Sequence, residues 1–203
     1  MHIADGVLNA PTIAATYAGT AVLLAWSLKN VAEEEIPKIS LTTGTFFAVS
    51  LISIPVGPST IHPLMAGLLG VMLGRRAPLS FFIALLLQAL LFQHGGLTSL
   101  GANTLMLAIP ALIACQLFQR TPFAPLYKGM AIGGLATVLT VLILILLLAA
   151  SQPLFARGTF SVIRLLIIGH IPLVAMEAVI TGFALQLLAK AKPEWLMKEV
   201  LNR

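Results

Sequence analysis

The chain has 203 residues, of which 59% are apolar and only 9% are charged, and its formal net charge is +5. An ordinary soluble domain carries about 25% charged residues, so this composition excludes a water-soluble globular protein. It also excludes a disordered chain, a collagen and a disulfide scaffold, because the apolar content is high and Cys115 is the single cysteine. A mean hydropathy of +1.01 predicts an integral membrane protein instead.

Seven apolar segments are candidates for membrane-spanning helices, each of which needs roughly 20 mostly apolar residues. In chain order they are 10–29, 39–55, 61–74, 79–93, 100–118, 128–150 and 160–189. The sequence therefore predicts an all-α bundle of about seven transmembrane helices that forms a single domain over residues 1–203.

The positions of the basic residues predict the orientation of this bundle. If the N-terminus is outside, ten of the twelve basic residues lie in or beside cytoplasmic segments, and only Arg157 and Arg164 lie outside. The ten are Lys29, Lys38, Arg75, Arg76, Arg120, Lys128, Lys190, Lys192, Lys198 and Arg203. This distribution follows the positive-inside rule and predicts a cytoplasmic C-terminus. The positive charge is thus a topology signal and implies no nucleic-acid partner.

The N-terminal segment lacks the features of a secretory signal peptide. It has no basic n-region, and no small-residue cleavage site follows the first apolar run. We therefore expect Met1 to remain as the mature N-terminus, where bulky His2 disfavours its removal. The sequence also has no G-x-x-x-x-G-K-[ST] motif, so any ATP hydrolysis has to come from another subunit.

Three of the four histidines lie at the external face in this topology. His2 is at the N-terminus, His62 follows the link 55–60, and His94 opens the link 95–98. Non-helical backbone at membrane depth is tolerated where it is buried in protein or lines a cavity. Histidines that converge on such a cavity are typical ligands of transition metals. The alternative is that each one is a separate, hydrogen-bonded residue of the interface.

A histidine at position two favours a planar nitrogen site. The Met1 amine, the His2 amide nitrogen and the His2 imidazole can close a five-membered and a six-membered chelate ring on one metal ion. One in-plane position then remains for another imidazole. Such ligation suits Ni(II), Cu(II) and low-spin Co(II) better than tetrahedral Zn(II). Because the amide must lose its proton, binding should weaken as the pH falls.

Four polar residues near these histidines each allow two interpretations. Asp5 either accepts a hydrogen bond from the His2 imidazole and orients it, or caps the first helix. Gln93, Thr98 and Asn103 either hold His94 or the N-terminal loop, or satisfy irregular backbone.

Two further polar residues, His170 and Glu177, lie inside the last predicted span. They are seven residues apart, two helical turns, and so share one face. Ionisable groups in a span are costly and are candidates for function. We favour a structural role, in which Glu177 pairs with a polar group in the bundle and fixes the helix register. The alternative is a proton relay.

Four segments of the sequence resemble the CbiM/NikM family, the substrate-capture components of energy-coupling-factor transporters for cobalt and nickel. They are residues 1–8 (MHIADGVL), 55–62 (PVGPSTIH), 92–104 (FQHGGLTSLGANT) and 170–177 (HIPLVAME). The similarity extends over essentially the whole chain.

This resemblance implies a seven-helix membrane protein whose N-terminal metal-binding segment, residues 1–9, enters the bundle from outside. It implies that the metal is held by the Met1 amine, the His2 amide and imidazole, and the His62 imidazole, with His94 in a supporting position. It also implies three kinds of partner: a membrane coupling subunit (CbiQ/NikQ-like), paired ATPase subunits (CbiO/NikO-like) and a small accessory membrane subunit (CbiN/NikN-like).

The expected function is capture of cobalt(II) or nickel(II), as transported substrate, at the outer face of a bacterial or archaeal cytoplasmic membrane. No permanent cofactor and no enzymatic activity of the chain itself are expected. Some relatives carry the accessory part fused at the C-terminus, whereas this chain ends at Arg203. We therefore expect a separate or absent accessory subunit and a slight preference for cobalt, which would supply cobalamin synthesis. Two alternatives are a proton-coupled secondary transporter that uses His170 and Glu177, and a structural membrane subunit without metal binding.

Overall fold

The computed structural model describes residues 2–52, 54–56, 59–152 and 162–196, and this part of the chain holds seven α-helices and one short hairpin. The helices are α1 (Ala10–Leu28), α2 (Ile36–Ser50), α3 (Ala66–Leu73), α4 (Ala77–Phe92), α5 (Leu100–Arg120), α6 (Pro125–Ser151) and α7 (Val162–Ala191). Strands β1 (Ile54–Val56) and β2 (Ser59–Ile61) pair antiparallel between α2 and α3, with Ile54 opposite Ile61.

Local sequence signals set where several helices begin. A proline stands in the first turn of α1, α2, α4 and α6, where its missing N–H is not needed for an intrahelical hydrogen bond. At α1 the Asn9 side chain is the cap, and its Oδ1 accepts from the Thr12 N–H at 3.0 Å.

The chain reverses direction between α3 and α4. The ring centroids of His62, just before α3, and His94, just after α4, are 5.6 Å apart. One straight helix over the 27 residues Ala66–Phe92 would be about 40 Å long and would separate these rings by that distance. Instead, a 3-10 turn at Gly74–Arg76 divides the segment, and Gly74 has a φ of 52°, which glycine adopts without strain. Helices α3 and α4 therefore form a helical hairpin.

Five helical segments among the described residues are long and apolar enough to cross a bilayer. They are Ala10–Leu28, Ala66–Phe92, Leu100–Arg120, Pro125–Ser151 and Leu166–Ala191. Each of the seven spans expected from the sequence overlaps one helix. However, α2 has only 15 residues and α3 only 8, so these two are shorter than a full span. The protein is thus a predominantly helical, multi-pass membrane protein. Five candidate spans lie among its described residues, one of them the α3–α4 hairpin, where the sequence predicts seven.

Helix α3 lies at the centre of the bundle, and all eight of its residues are buried. It approaches its neighbours through glycine. A Cβ added to Gly67 would lie 2.9 Å from the Cα of Gly133 in α6, and one added to Gly70 would collide with the backbone of Ala111 in α5. Small residues allow such close approach in membranes, where packing between helices replaces the hydrophobic effect.

The bundle has two polar ends, which we name by their residues. The histidine end contains His2, His62 and His94, whose rings contact one another. The arginine end contains Arg76 and Glu35, which form an ion pair of 2.6 Å at the turn between α3 and α4. Because α3 runs from the first end to the second and α4 returns, the α3–α4 hairpin connects them.

Candidate metal centre

The N-terminal segment is held at the histidine end by the start of α5. The side-chain amide of Asn103 pairs with the backbone of Ile3 as another peptide would, accepting from the Ile3 N–H at 2.8 Å and donating to the Ile3 carbonyl at 3.0 Å. The Ser99 hydroxyl donates to the same carbonyl at 2.5 Å. These hydrogen bonds fix the backbone next to His2, so Asn103 anchors the N-terminal loop.

A second attachment lies two residues further along the segment. The Asp5 carboxylate accepts from the Thr98 N–H at 2.8 Å, the Thr98 hydroxyl at 2.5 Å and the Leu97 N–H at 3.2 Å. The hydrogen bond from the Thr98 side chain is the main reason that the pKa of Asp5 is lowered. Both sequence interpretations of Asp5 need correction, because its carboxylate is engaged by the link after His94 and the cap of α1 is Asn9.

The link after His94 is shaped by two glycines. Gly95 has a φ of 84°, a left-handed conformation that disfavours other residues. A Cβ on Gly96 would lie 2.7 Å from the Asp5 backbone nitrogen and would collide with the Asp5 carboxylate. Neither Gly96 nor Ser99 was predicted from the sequence to support the site. Their only signal is their position between His94 and Asn103.

Three imidazoles meet where these segments converge. The rings of His2 and His62 are stacked, with centroids 4.7 Å apart and planes inclined by 15°. The His94 ring lies edge-on to the His2 ring, also at 4.7 Å. One nitrogen atom from each imidazole can be chosen so that all three lie within 4.8 Å of one another. Metal–nitrogen bonds are about 2.0 Å long, so nitrogens bound to one ion lie about 3–4 Å apart, and a bound ion would draw these imidazoles closer together.

The electrostatics of this cluster favour neutral imidazoles with available lone pairs. Burial lowers the pKa of His2 to about 3 and that of His62 to about 4, and it also lowers the pKa of His94. Both ring nitrogens of His2, and Nε2 of His62 and of His94, are buried without a hydrogen-bond partner among the described residues. Buried polar atoms are normally paired, so this group of unpaired nitrogens indicates a ligand site.

The profile of one protein family, described as the cobalt uptake substrate-specific transmembrane region CbiM, matches residues 2–195. The chain belongs to the CbiM family. A Haemophilus influenzae protein named for metal transport is 31% identical over 211 residues, which is 100% of this chain and 98% of its own length. The cobalt transport protein CbiM of Thermosediminibacter oceani is 35% identical over 173 residues, covering 79% of this chain and 70% of its own.

Two fused relatives and one solved structure are also similar to this chain. The fused nickel transport protein NikMN of Rhodobacter capsulatus is 33% identical over 54% of this chain, which is 33% of its own length. A Methanocorpusculum labreanum protein named as a fusion, CbiMQ, is 26% identical over 96% of this chain and 36% of its own. A crystal structure of a transition metal transporter shares the fold with a TM-score of 0.80, at 24% identity over 99% of this chain and 96% of its own.

In this CbiM-family chain, helix α7 forms hydrogen bonds with the loop that follows His62. The Glu177 carboxylate is 1% exposed and accepts from the Leu64 N–H at 2.5 Å and from the Met65 N–H at 3.1 Å. Met65 has a φ of 51° and directly precedes α3, so the carboxylate lies at the positive end of that helix. The polar partner of Glu177 is therefore backbone N–H rather than a side chain, and the bond fixes the residues that follow His62.

Two further candidate residues, His170 and Gln93, are not among the three clustered imidazoles. His170 is buried on α7, where its Nδ1 lies 2.6 Å from the Leu166 carbonyl oxygen, and it is not a member of the three-imidazole cluster. Gln93 ends α4 in a left-handed conformation with an exposed side chain. Met1, which carries the expected amine ligand, lies outside the described residues.

Proposed function

We propose that this chain captures a divalent cobalt or nickel ion from the external side of the cytoplasmic membrane and is the substrate-binding component of an ATP-driven uptake transporter. The observation that carries the proposal is the cluster of His2, His62 and His94, whose buried ring nitrogens include lone pairs without a hydrogen-bond partner among the described residues. Imidazole nitrogens select first-row transition metals over magnesium or calcium. The names of relatives, for cobalt in one case and nickel in another, agree with that class of ion.

The proposed ligand set has four nitrogens in one plane: the Met1 amine, the His2 amide, the His2 imidazole and the His62 imidazole. The His2 and His62 imidazoles support a shared ion, because one nitrogen atom of each lies within 4.8 Å of the other. The edge-on His94 ring is proposed to complete the walls of the site. The hydrogen bonds of Asp5 and Asn103 fix the position of the N-terminal segment that carries His2.

The proposed topology has seven membrane passages and a cytoplasmic C-terminus, with the histidine end outside and the arginine end inside. Support for this topology comes from the positions of the three histidines at one end of the bundle and of Arg75 and Arg76 at the other. It also satisfies the positive-inside rule.

The proposed partners are a coupling membrane subunit, ATPase subunits and a small accessory membrane subunit. Support comes from the fused relatives NikMN and CbiMQ, in which this region is joined to additional sequence. A proton-coupled transporter gains no specific support, since the Glu177 carboxylate that would relay protons is occupied by backbone N–H groups. Cobalt is the proposed preference, to be tested by competition between the two ions.

The test is the metal content of the purified chain, measured by mass spectrometry after incubation with cobalt(II) or nickel(II). We expect one ion per native chain. Residues added before Met1 should abolish binding, because extension converts the amine into an amide. The matched control carries the same residues after Arg203 and should bind normally. His62→Ala should weaken binding by about a thousandfold, which is about 4 kcal/mol. Unchanged binding in the N-terminally extended chain would exclude the terminal-amine site.

A further inference from the structure

Gln88, near the end of α4, is joined by its backbone to the segment that carries His94. Its carbonyl oxygen accepts from the His94 N–H at 3.2 Å and from the Gln93 N–H. A hydrogen bond that spans six residues at a helix end is typical of the Schellman motif, in which one residue is left-handed. Here that residue is Gln93, with a φ of 52°. The Gln88 carbonyl therefore fixes the point at which the chain leaves α4 towards His94.

The side chain of the same residue is joined to α2, which precedes the segment that carries His62. Nε2 of Gln88 lies 2.5 Å from the Ser50 hydroxyl oxygen and 3.4 Å from the Phe47 carbonyl oxygen. Because a carbonyl oxygen only accepts, the amide nitrogen is the atom that faces α2. The Ser50 hydroxyl donates to the Phe46 carbonyl at 2.5 Å, so its oxygen is free to accept from Gln88. Ser50 is the last residue of α2, four residues before β1, and the hairpin leads directly to His62.

Stability alone does not account for an amide at this position. The Gln88 side chain is fully buried, and its Oε1 has no hydrogen-bond partner among the described residues. A buried acceptor without a partner costs free energy. A methionine or leucine of similar volume would avoid that cost. The hydrogen bonds to α2 are therefore better explained by the position that they impose than by the stability that they add.

A second polar pair joins α2 and α4 at the other end of their contact. The Thr43 and Ser80 hydroxyl oxygens are 2.8 Å apart, and both residues are buried. Ser80 lies four residues after Arg76 of the arginine end and eight residues before Gln88, which is about 12 Å along α4. This pair stabilises the same helix contact but lies far from the histidine end, so it can separate packing from positioning.

We infer that Gln88 is a positioning residue of the metal site, which holds the His62 imidazole in register with those of His2 and His94. The inference rests on the proposed function, because it concerns the same site. The ring centroids are 4.7 Å apart for His2 and His62 and 5.6 Å apart for His62 and His94. Since metal–nitrogen bonds are only about 2.0 Å long, a small shift of His62 is enough to break its bond to an ion.

The chain on each side of His62 then has its own attachment. Glu177 of α7 accepts from the backbone N–H groups of Leu64 and Met65, which follow His62. Gln88 binds the end of α2, which precedes it. Removing the Gln88 amide leaves only the attachment to α7, so we expect His62 to be displaced while the N-terminal segment stays in place.

The test measures the affinity for nickel(II) or cobalt(II) and the visible absorption spectrum of the bound ion, with the full chain in detergent. Gln88→Met keeps a side chain of similar length and removes its hydrogen bonds. Binding should weaken tenfold to a hundredfold, as is typical when a group that orients a metal ligand is changed. The spectrum should change as well, because the His62 ligand moves. The melting temperature of the metal-free chain should fall by about 4 °C or less.

Ser50→Ala tests the same hydrogen bond from the side of α2. It removes the acceptor and leaves the Phe47 carbonyl in place, so binding should weaken by about threefold to tenfold. Because both changes break one hydrogen bond, adding Ser50→Ala to Gln88→Met should weaken binding no further. Losses that multiply in the double variant would show that the two residues act separately, which contradicts the inference.

Ser80→Ala and Thr43→Val, which break the other polar pair, are the matched controls and should keep the native affinity and spectrum. The inference is overturned if either control weakens binding as much as Gln88→Met, because a looser contact between α2 and α4 would then explain the loss. It is also overturned if folded Gln88→Met keeps the native affinity and spectrum. Should Gln88→Met fail to fold, Ser50→Ala decides alone, and native binding in that variant overturns the inference. A native chain that binds no ion would overturn the proposed function itself, and the inference with it.

Discussion

The two polar ends of the bundle differ in how their buried groups are satisfied. At the arginine end, the Arg76 guanidinium donates to the carbonyl oxygens of Lys29 at 3.0 Å and Asn30 at 2.7 Å, to that of Ser27, and to both carboxylate oxygens of Glu35. At the histidine end, both ring nitrogens of His2 have no hydrogen-bond partner among the described residues.

This difference separates a structural polar cluster from a binding site. Arg76 closes the carbonyl end of α1 and joins it to the α3–α4 turn, so its bonds stabilise the fold. The imidazoles at the other end are held through their backbones by Asn103, Asp5 and Glu177, while their nitrogens are left available. Mutations at the first end should therefore change stability and spare metal affinity, and mutations at the second should do the reverse.

The largest effect on stability is expected for Arg76→Gln. Removing one partner of a buried pair typically costs about 3–5 kcal/mol. Because Glu35 is 33% exposed, we expect about 2–3 kcal/mol here, measured as a loss of stability to denaturant in detergent. Metal affinity of the folded chain should stay within threefold of the native value. The matched control is Lys128→Gln, whose ammonium makes two carbonyl contacts at 3.2 and 3.3 Å and should cost less.

Lowering the pH should reduce the difference in stability between Arg76→Gln and the native chain. Burial alone would raise the pKa of Glu35, but its hydrogen bonds with Arg76 lower that pKa below the ordinary value. The stability from the pair is therefore present above the ordinary carboxyl pKa and is lost as the pH falls through the lowered one. Two results would contradict the conclusion that the arginine end sets stability and the histidine end sets metal affinity. One is a stability difference that grows in acid, and the other is a large loss of metal affinity in Arg76→Gln.

A smaller effect, on both properties, is expected for Glu177→Gln. The amide keeps one acceptor oxygen for Leu64 and Met65 but loses the charge at the start of α3. Since the residues after His62 would be held less firmly, metal affinity should fall tenfold to a hundredfold, as is typical when a group that orients a metal ligand is changed. Affinity measured beside the melting temperature tests this, with Thr181→Val as the control on α7. Native affinity in Glu177→Gln would show that His62 is positioned without this bond.

The sequence predicts the histidine end better than the bonds that support it. His62 and His94 lie beside Gly- or Pro-rich links, His2 lies at the N-terminus, and one topology brings all three to the same face. The bond between Glu177 and the Leu64 N–H has no comparable signal, because a backbone amide is present at every residue except proline.

Hydropathy predicts seven spans, whereas five segments among the described residues are long and apolar enough to cross a bilayer. Helix α3 is apolar and buried, but it has only eight residues and turns back at Gly74. A short helix of this kind is stabilised by the α5 and α6 backbones around it, and these contacts come from residues distant in the chain, such as Ala111 and Gly133. Apolar character therefore predicts that the segment is buried, while only tertiary packing determines where it reverses.

The smallest of these effects is expected for His94→Ala, and it sharpens the comparison within the histidine end itself. The His94 ring is edge-on to the other two, and it is only partly buried, whereas His62 is 2% exposed and stacked on His2. If four nitrogens from Met1, His2 and His62 hold the ion, His94 contributes to the wall of the site and not to the ligand plane.

His94→Ala should then weaken binding by about tenfold, at the lower end of the range for residues that surround metal ligands. The absorption spectrum of bound nickel(II) or cobalt(II) should keep its native shape, because the ligand plane is unchanged. His62→Ala, measured in parallel, should alter both affinity and spectrum. A thousandfold loss and an altered spectrum in His94→Ala would instead make His94 a ligand, and the ion would then be held by three imidazoles in a non-planar arrangement.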